Sequence, residues 1–385
     1  MEIYFDNAAT TKPFPEVAKE VFEVSLSDYG NPSSKHMKGV DAEKHIKNTK
    51  EILLRILKCK ENEIIFTSGA TESNNMAIKG AVKARERYGK HIITTSVEHA
   101  SVREPFLELE KQGYDVTFLP TDSFGKVDLE SLKESLREDT VFVSVMYVNN
   151  ETGIIQPVSE IGEILKTYNS DIIFHVDAVQ AFGKMRVIPK NIKADLLSVS
   201  AHKFHGPKGV GFLYVRDGVR VLPMIEGGGQ QKGMRSGTEN VPGIAGLGKA
   251  VDIIYSGDLD LRISHLKDLR EWFLTGISGL EGITVNGGDG DDQAPHIVSV
   301  TVSGIRSEVL LHAMEDKGIY ISSGSACSSN KPGLSFALTA MGLSKEEAES
   351  TVRFSFSYES TKDEIDMSIK ALKELVPVLR QFVRK

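Results

Sequence analysis

The chain has 385 residues, of which 40% are hydrophobic and 26% charged, a composition that fits a folded globular protein and excludes extensive disorder. Its formal net charge of −7 gives no overall attraction to nucleic acid or to anionic membranes, and the first residues do not form a basic, apolar leader. Cys59 and Cys327 are too few cysteines for a disulfide framework, which predicts a reducing, cytoplasmic location. We therefore expect small-molecule chemistry, without a membrane span or direct binding of nucleic acid.

Between residues 63 and 215, short runs of β-branched and aromatic residues alternate with longer amphipathic stretches. This alternation predicts strands joined by helical crossovers, and hence an α/β sheet that is covered by helices on both faces. The predicted helices include 71–88, 102–111 and 158–166. The seven predicted strands are 64–66, 92–94, 116–119, 141–145, 172–174, 196–199 and 212–215.

A change of pattern follows the sheet. The glycine-rich segment 227–246 leads into a helix that reaches about Tyr255, and residues 256–258 then interrupt the helical pattern. We predict a domain boundary at this break. The rest of the chain reads as a smaller α+β domain, with strands at 297–302, 319–321 and 352–356 and a last amphipathic helix over 362–384.

Lys203 is the first candidate for catalysis, because it directly follows the predicted strand 196–199. A side chain at the carboxyl end of such a strand faces the crevice in which α/β proteins bind ligands. Gly206, Pro207 and Gly209 predict a tight loop that holds the lysine in place. Most loop lysines are simply solvated, so other residues must support a functional role.

Two other features of the sequence support a functional role for Lys203. Asp177 ends the predicted strand 172–176 at the same sheet edge, although a lone aspartate there is more often a helix cap. The turn 67–73 offers backbone N–H groups, hydroxyls and a helix dipole that favour a dianion, although a capping box would also explain it. Pyridoxal 5′-phosphate (PLP) requires this combination: a lysine to bind it, an acid beside its ring nitrogen and a phosphate site.

Further polar residues lie at the same predicted edge. His99 could stack on a PLP ring and shuttle protons, and Gln180 is close enough to contact the ring oxygen. Ser200 and His202 could add phosphate donors, and Asn150 supplies an amide. His202 and His205 have no third ligand at matching spacing, so we predict no metal site.

Together these motifs resemble the NifS/IscS-type cysteine desulfurases, which belong to the class-V aminotransferase family of PLP enzymes. Each motif alone is weak, but they occur in the family's order over almost the whole chain. The matching motifs are YFDNAATT at 4–11, YGNPSS at 29–34, TSGATES at 67–73, NNE at 149–151, HVDAVQ at 175–180, SAHK at 200–203, GMRSGT at 233–238 and SSGSACSS at 322–329.

The resemblance implies the aspartate-aminotransferase type of PLP fold. A large PLP-binding domain with a mixed seven-stranded sheet would span 15–257, and a small α+β domain would combine 1–14 with 258–385. Thr238 is expected to reach the phosphate of the neighbouring subunit, which implies a homodimer with composite active sites. The other expected cofactor contacts are Lys203 as the covalent link, Ala70, Thr71, Ser200 and His202 at the phosphate, and His99, Asp177, Gln180 and Asn150 around the ring.

The resemblance also implies the reaction. Cys327, whose neighbours are small and polar, would take sulfur from L-cysteine as a persulfide and release L-alanine, although a buried structural cysteine is the ordinary alternative. Arg353 and Asn150 would bind the substrate carboxylate, with a structural salt bridge as the alternative for Arg353. Cys59 matches no motif and is interpreted as structural.

The persulfide would pass to an acceptor protein for Fe–S cluster assembly or tRNA thiolation, with Cys327 at most a transient cluster ligand. Two other functions stay open at this point. A selenocysteine lyase or another aminotransferase-like PLP enzyme could use the same lysine and acid, and a non-catalytic Fe–S or metal scaffold could use Cys327 with histidines.

Overall fold

The computed structural model describes residues 2–288, 290, 292–323 and 335–382. Its strands are β1 Ile3–Tyr4, β2 Ile64–Thr67, β3 His91–Thr95, β4 Asp115–Leu119, β5 Thr140–Met146, β6 Ile173–Asp177, β7 Leu196–Ser200, β8 Gly211–Val215, β9 Ile283–Asn286, β10 Ile297–Val302, β11 Ile319–Tyr320, β12 Ser322–Ser323 and β13 Thr351–Ser355. Its α-helices are α1 Pro15–Ser27, α2 Met37–Leu57, α3 Ala70–Arg85, α4 Ala100–Lys111, α5 Leu129–Ser135, α6 Val158–Tyr168, α7 Val241–Ser256, α8 Leu259–Ile277, α9 Ser307–Glu315, α10 Phe336–Ala340, α11 Lys345–Glu349 and α12 Lys362–Arg380. None of these helices is both long and apolar enough to cross a membrane.

The large sheet has the seven predicted strands in the order β2-β8-β7-β6-β5-β3-β4. Strands β3 to β7 run parallel, while β8 is antiparallel to both of its neighbours, which makes the sheet mixed. Every residue of β5, β6 and β7 is buried, as expected for parallel strands that are covered on both faces. Helices α3 and α4 pack together against the sheet, and α1 and α2 pack on α7.

The smaller sheet has the antiparallel order β12-β13-β10-β9. Its core contains the rings of Phe5, Phe273, Phe354 and Phe356. The predicted strand 319–321 corresponds to β11, which pairs in parallel with β1, whereas β12 was not predicted and pairs with β13. The first residues of the chain are therefore hydrogen-bonded, through β1, to a strand in the last third of the chain.

The topology brings several strand ends to one edge. Because β8 is antiparallel to both β2 and β7, the carboxyl end of β2 lies at the same edge as those of β6 and β7. The turn into α3, Asp177 and Lys203 all follow these strand ends. Strand β13 adds Arg353 from the smaller sheet, so the two sheets meet at this edge.

Candidate active site

A cavity of about 540 Å³ lies at this edge. It contains most of the side chains that the sequence singles out, and it is also lined by Ala8, Ala9 and Thr10 from the N-terminal segment. Thr238 lies instead in a neighbouring cleft with Arg235, and Cys327 lies outside the described residues. The predicted residues that line the cavity are Ala70, Thr71, His99, Asn150, Asp177, Gln180, Ser200, His202, Lys203 and Arg353.

Lys203 ends a single 3₁₀ turn, Ala201–Lys203, directly after β7. Its Nζ donates to the carbonyl oxygens of Ala8 at 2.7 Å and Ala9 at 2.8 Å. The loop behind it is as tight as predicted, since a Cβ added at Gly206 would lie 2.7 Å from the Cβ of Ala201. The lysine is therefore held at the strand end with its ammonium directed to the N-terminal segment.

The turn between β2 and α3 is shaped for an anion. Gly69 has φ of 143°, a conformation that favours glycine, and α3 begins after it without a side-chain cap. The first N–H groups of a helix have no intrahelical acceptor and attract negative charge. A Cβ at Gly69 would approach the Oγ of Ser200 to 3.3 Å, so Ser200 lies directly beside this turn.

Asp177 is buried and accepts two hydrogen bonds. Its Oδ1 accepts from the backbone N–H of Val179 at 3.0 Å within a turn, and no helix lies among the described residues between β6 and β7, so the alternative of a helix cap is wrong. Its Oδ2 accepts from Nδ2 of Asn74 on α3 at 2.8 Å. The sequence did not single out Asn74, because 103 residues separate it from Asp177 and only the fold brings them together.

The histidines at the edge are held neutral. Burial lowers the pKa of His99, and Lys203 lowers it further while Asp177 opposes this. Burial and the nearby lysines Lys203, Lys208 and Lys184 lower the pKa of His202 to about 4. His202 Nδ1 lies 3.1 Å from Oγ1 of Thr10. Among the described residues, no group of three His, Cys, Asp or Glu side chains could hold a metal ion.

The surroundings of Arg353 bear on its two predicted roles, a binding site for the substrate carboxylate and a structural salt bridge. Its Nη2 forms an ion pair with Oδ1 of Asp6 at 2.8 Å, and its Nη1 donates to the carbonyl oxygen of Asn150 at 2.6 Å. Its Nε is buried without an acceptor in the described part of the chain. Arg353 therefore forms a structural ion pair with Asp6 and also lines the cavity.

Lys184 is a neighbour of the site that no sequence motif indicated. It is fully buried, and its Nζ donates to the backbone carbonyl of Lys203. Burial, with a smaller contribution from Lys203, lowers the pKa of Lys184 to about 7. Its hydrogen bond fixes the backbone of the candidate lysine from behind.

Glu98 gives a testable pH dependence. It is fully buried behind His99, its Oε1 accepts from Thr95 Oγ1 and Met146 N at 2.8 Å each, and burial raises its pKa from 4.5 to about 8. Between these values the folded state binds a proton that the unfolded state lacks, so this contribution to stability is present below about pH 4.5 and is lost as the pH rises through about 8. Glu98→Gln imitates the protonated acid, and we expect its melting temperature relative to the parent protein to rise between pH 5 and pH 9.

The control for this measurement is Glu110→Gln, which changes an exposed carboxylate on α4 and should show no such trend. A difference between Glu98→Gln and the parent protein that is constant with pH would contradict the assignment of a protonated Glu98.

Known proteins of similar sequence identify the family of this chain. The family profile described as aminotransferase class-V matches residues 3–367. A protein from Vibrio atlanticus named cysteine desulfurase IscS is 43% identical over 387 residues, which cover 99% of this chain and 94% of that protein. This chain belongs to the class-V aminotransferase family.

Solved structures agree with the family. The structure titled NIFS-LIKE PROTEIN superposes on this class-V aminotransferase with a TM-score of 0.92 and 38% identity, covering 98% of this chain and 100% of that one. The structure titled SspA in complex with cysteine has a TM-score of 0.81 and 34% identity, covering 93% of this chain and 100% of that one. The predicted resemblance and PLP-transferase fold are confirmed.

The family depends on PLP, and the site of this class-V aminotransferase fits that cofactor. The uncapped start of α3 suits a phosphate, Lys203 is close by, and the buried carboxylate of Asp177 can pair with a protonated ring nitrogen. Cys59 contributes nothing to this site. It is half-buried, and burial together with Glu63 raises the pKa of its thiol to about 12, so it has little thiolate character.

Proposed function

We propose that this class-V aminotransferase is a cysteine desulfurase, which converts L-cysteine to L-alanine and holds the sulfur as a persulfide on Cys327. One observation carries the proposal: a lysine, a buried acid, an uncapped helix start and an arginine line one cavity in a chain whose relatives include proteins named cysteine desulfurase. The balanced reaction is L-cysteine plus the Cys327 thiol giving L-alanine plus the Cys327 persulfide.

The cofactor would be held by residues that line this cavity. Lys203 would bind it covalently, the start of α3 with Ser200 and His202 would bind its phosphate, and Asp177 and Gln180 would contact the ring. When bound, PLP supplies an electron sink for negative charge that develops on the substrate carbons. The acceptor Asp177 is kept in place by Asn74 and by the backbone N–H of Val179.

Arg353 would bind the substrate carboxylate, with help from Asn150. The place of Arg353 in the lining of the cavity, in contact with Asn150, supports this. Arg353→Lys removes the planar group that can pair with a carboxylate through two N–H bonds. We expect its KM for cysteine to rise roughly 10- to 100-fold, the size of a charge-assisted hydrogen bond, with a smaller change in kcat.

Steady-state kinetics with Arg137→Lys as the control would check this prediction. Arg137 is a surface arginine that also pairs with aspartates, so this variant tests whether the chemical exchange alone matters. An unchanged KM in Arg353→Lys would assign Arg353 to the structural ion pair with Asp6 alone.

The described residues on either side of the segment that contains Cys327 lie next to residues of the cavity. Ser322 pairs with Arg353 across the smaller sheet, and on the other side Ser335 donates to Oε2 of Glu151 at 2.5 Å. Glu151 directly follows Asn150 of the cavity. The four peptide units between Ser323 and Cys327 can span at most about 14 Å. This geometry supports Cys327 as the sulfur acceptor.

We also propose the predicted domain division, with a PLP-binding domain of 15–257 and a smaller domain of 1–14 with 258–385. Two observations support it. A new helix begins at Leu259 with Asp258 as its cap, and β1 pairs with β11 rather than with the large sheet.

A homodimer belongs to the proposal, with Thr238 reaching the partner's phosphate site. Its support is that three large apolar side chains on α1 and at the start of α2, Phe22, Leu26 and Met37, are each more than 60% exposed. Light scattering should give about twice the chain mass of 42.3 kDa. We further propose a cytoplasmic enzyme that passes the sulfur to a protein of Fe–S assembly or tRNA thiolation.

The direct test of the function is to supply L-cysteine and a reducing thiol to the PLP-loaded protein. We expect one alanine for each sulfide released, and a kcat/KM for cysteine that is not far exceeded by that for selenocysteine. Sulfide without alanine, or turnover of selenocysteine alone, would contradict the proposal and favour a different lyase.

A further inference from the structure

A continuous hydrogen-bonded chain connects two polar residues that line the cavity, Asp177 and His99. Nδ2 of Asn74 donates to Oδ2 of Asp177 at 2.8 Å and to Oγ of Ser101 at 2.9 Å. Oγ of Ser101 lies 2.8 Å from Nδ1 of His99. Asn74 and Ser101 are both buried, and the proposed function uses Asn74 only to hold Asp177 and does not use Ser101.

The Asp177 end of the chain fixes the orientation of Asn74. An ionised carboxylate only accepts hydrogen bonds, so the NH₂ group of Asn74 must face it. Turning the amide over would place Oδ1 of Asn74 against the carboxylate, with two acceptors in contact. Both N–H bonds of Asn74 therefore donate, one to Asp177 and one to Ser101, while its Oδ1 is buried without a partner among the described residues.

The His99 end fixes the imidazole. His99 is the N-cap of α4, and its Nδ1 accepts the backbone N–H of Ser101 at 3.1 Å. A nitrogen that accepts from a backbone N–H cannot carry a proton itself, so the hydroxyl of Ser101 also donates to Nδ1. The proton of the neutral ring is therefore on Nε2. A proton added to Nδ1 would lose the cap of α4.

We propose that Asn74 and Ser101 are positioning residues that hold His99 as the neutral tautomer with its proton on Nε2. His99 then presents an N–H donor to the cavity rather than a basic nitrogen, and proton abstraction is left to Lys203. The amide of Asn74 donates hydrogen bonds but does not ionise, so it cannot pass a proton between Asp177 and His99. Asp177 therefore remains a hydrogen-bond acceptor only. The inference rests on the proposed function only in that His99 faces the bound cofactor and cysteine.

The tautomer can be measured by ¹⁵N NMR of the PLP-loaded protein labelled with ¹⁵N-histidine. The signals of His99, one of ten histidines, are assigned by their loss in His99→Gln. At pH 7 we expect an unprotonated Nδ1 and a protonated Nε2. A protonated Nδ1 in the parent protein would overturn the proposal, and this measurement needs no variant of Asn74 or Ser101.

Asn74→Asp tests the chain itself. A second carboxyl group beside Asp177 shares a proton with it and can no longer donate to Ser101, so the hydroxyl of Ser101 turns and accepts from Nδ1 of His99. The charged groups that face His99 are Asp177 and Lys203, and both are kept. We expect the pKa of His99 to rise by about one unit, the scale of one charge-assisted hydrogen bond.

A double-mutant cycle separates this chain from a through-space effect of charge. With Ser101→Ala added, less than half of the rise caused by Asn74→Asp should remain. Ser159→Ala is the matched control, because Ser159 is exposed at the same second position of α6 and should leave the full rise. An equal rise without Ser101 would overturn the proposal. None of these measurements uses L-cysteine, so a failure of the protein to form alanine would contradict only the proposed function.

Discussion

Lys203→Ala is expected to lose turnover of cysteine by about three orders of magnitude or more, the scale that follows removal of a covalent catalyst. Lys203 lines the cavity directly after β7, and its Nζ is already held by the carbonyls of Ala8 and Ala9. The variant also removes the base that abstracts the substrate proton. The fold should survive, because the backbone carbonyl that accepts from Lys184 remains.

The absorbance of protein-bound PLP and the rate of alanine formation would be measured together. The parent protein should keep the cofactor through gel filtration, and Lys203→Ala should release it or bind it without the lysine linkage. Lys190→Ala, at an exposed turn lysine, is the control and should behave like the parent. A Lys203→Ala protein with parental turnover would contradict the assignment of this lysine.

Cys327→Ser is expected to have the second large effect, because a serine hydroxyl cannot accept sulfur as a persulfide. We expect loss of alanine formation by roughly 100-fold or more, as for removal of an activated nucleophile, while the absorbance of bound PLP is retained. The two variants should therefore differ. Lys203→Ala should lose both the linkage to the cofactor and turnover, whereas Cys327→Ser should lose turnover alone.

The chain provides its own control for this experiment. Cys59→Ser changes the only other cysteine, whose pKa is raised to about 12, and should keep full activity. Full desulfuration in Cys327→Ser, or its loss in Cys59→Ser, would show that the sulfur takes another route.

Much of the large sheet could be predicted because its signal is local. All seven strands were predicted to within a few residues, since buried parallel strands such as β5 are rich in apolar and β-branched residues. The candidate site followed from the same logic, because Asp177, Lys203 and the turn before α3 each follow a strand. Strand ends at one edge meet in space, so their residues could be grouped without knowing any distance.

Contacts between distant segments could not be predicted in this way. Arg353 pairs with Asp6 across 347 residues, and Asn74 reaches Asp177 across 103. Strand β12, which was not predicted, depends on pairing with β13, and β11 depends on pairing with β1; no local pattern encodes either contact. The burial of Lys184 could not be predicted either, because the local sequence does not distinguish a buried lysine from a solvated one.

The most direct test of the account is to follow the sulfur atom itself. The PLP-loaded protein is given one equivalent of L-cysteine labelled with heavy sulfur, without a reducing thiol, and its peptides are analysed by mass spectrometry. We expect one added heavy sulfur on the peptide that contains Cys327, none on the peptide that contains Cys59, and one alanine released per sulfur bound. Heavy sulfur on Cys59, or alanine formed while Cys327 stays unmodified, would contradict the proposed reaction.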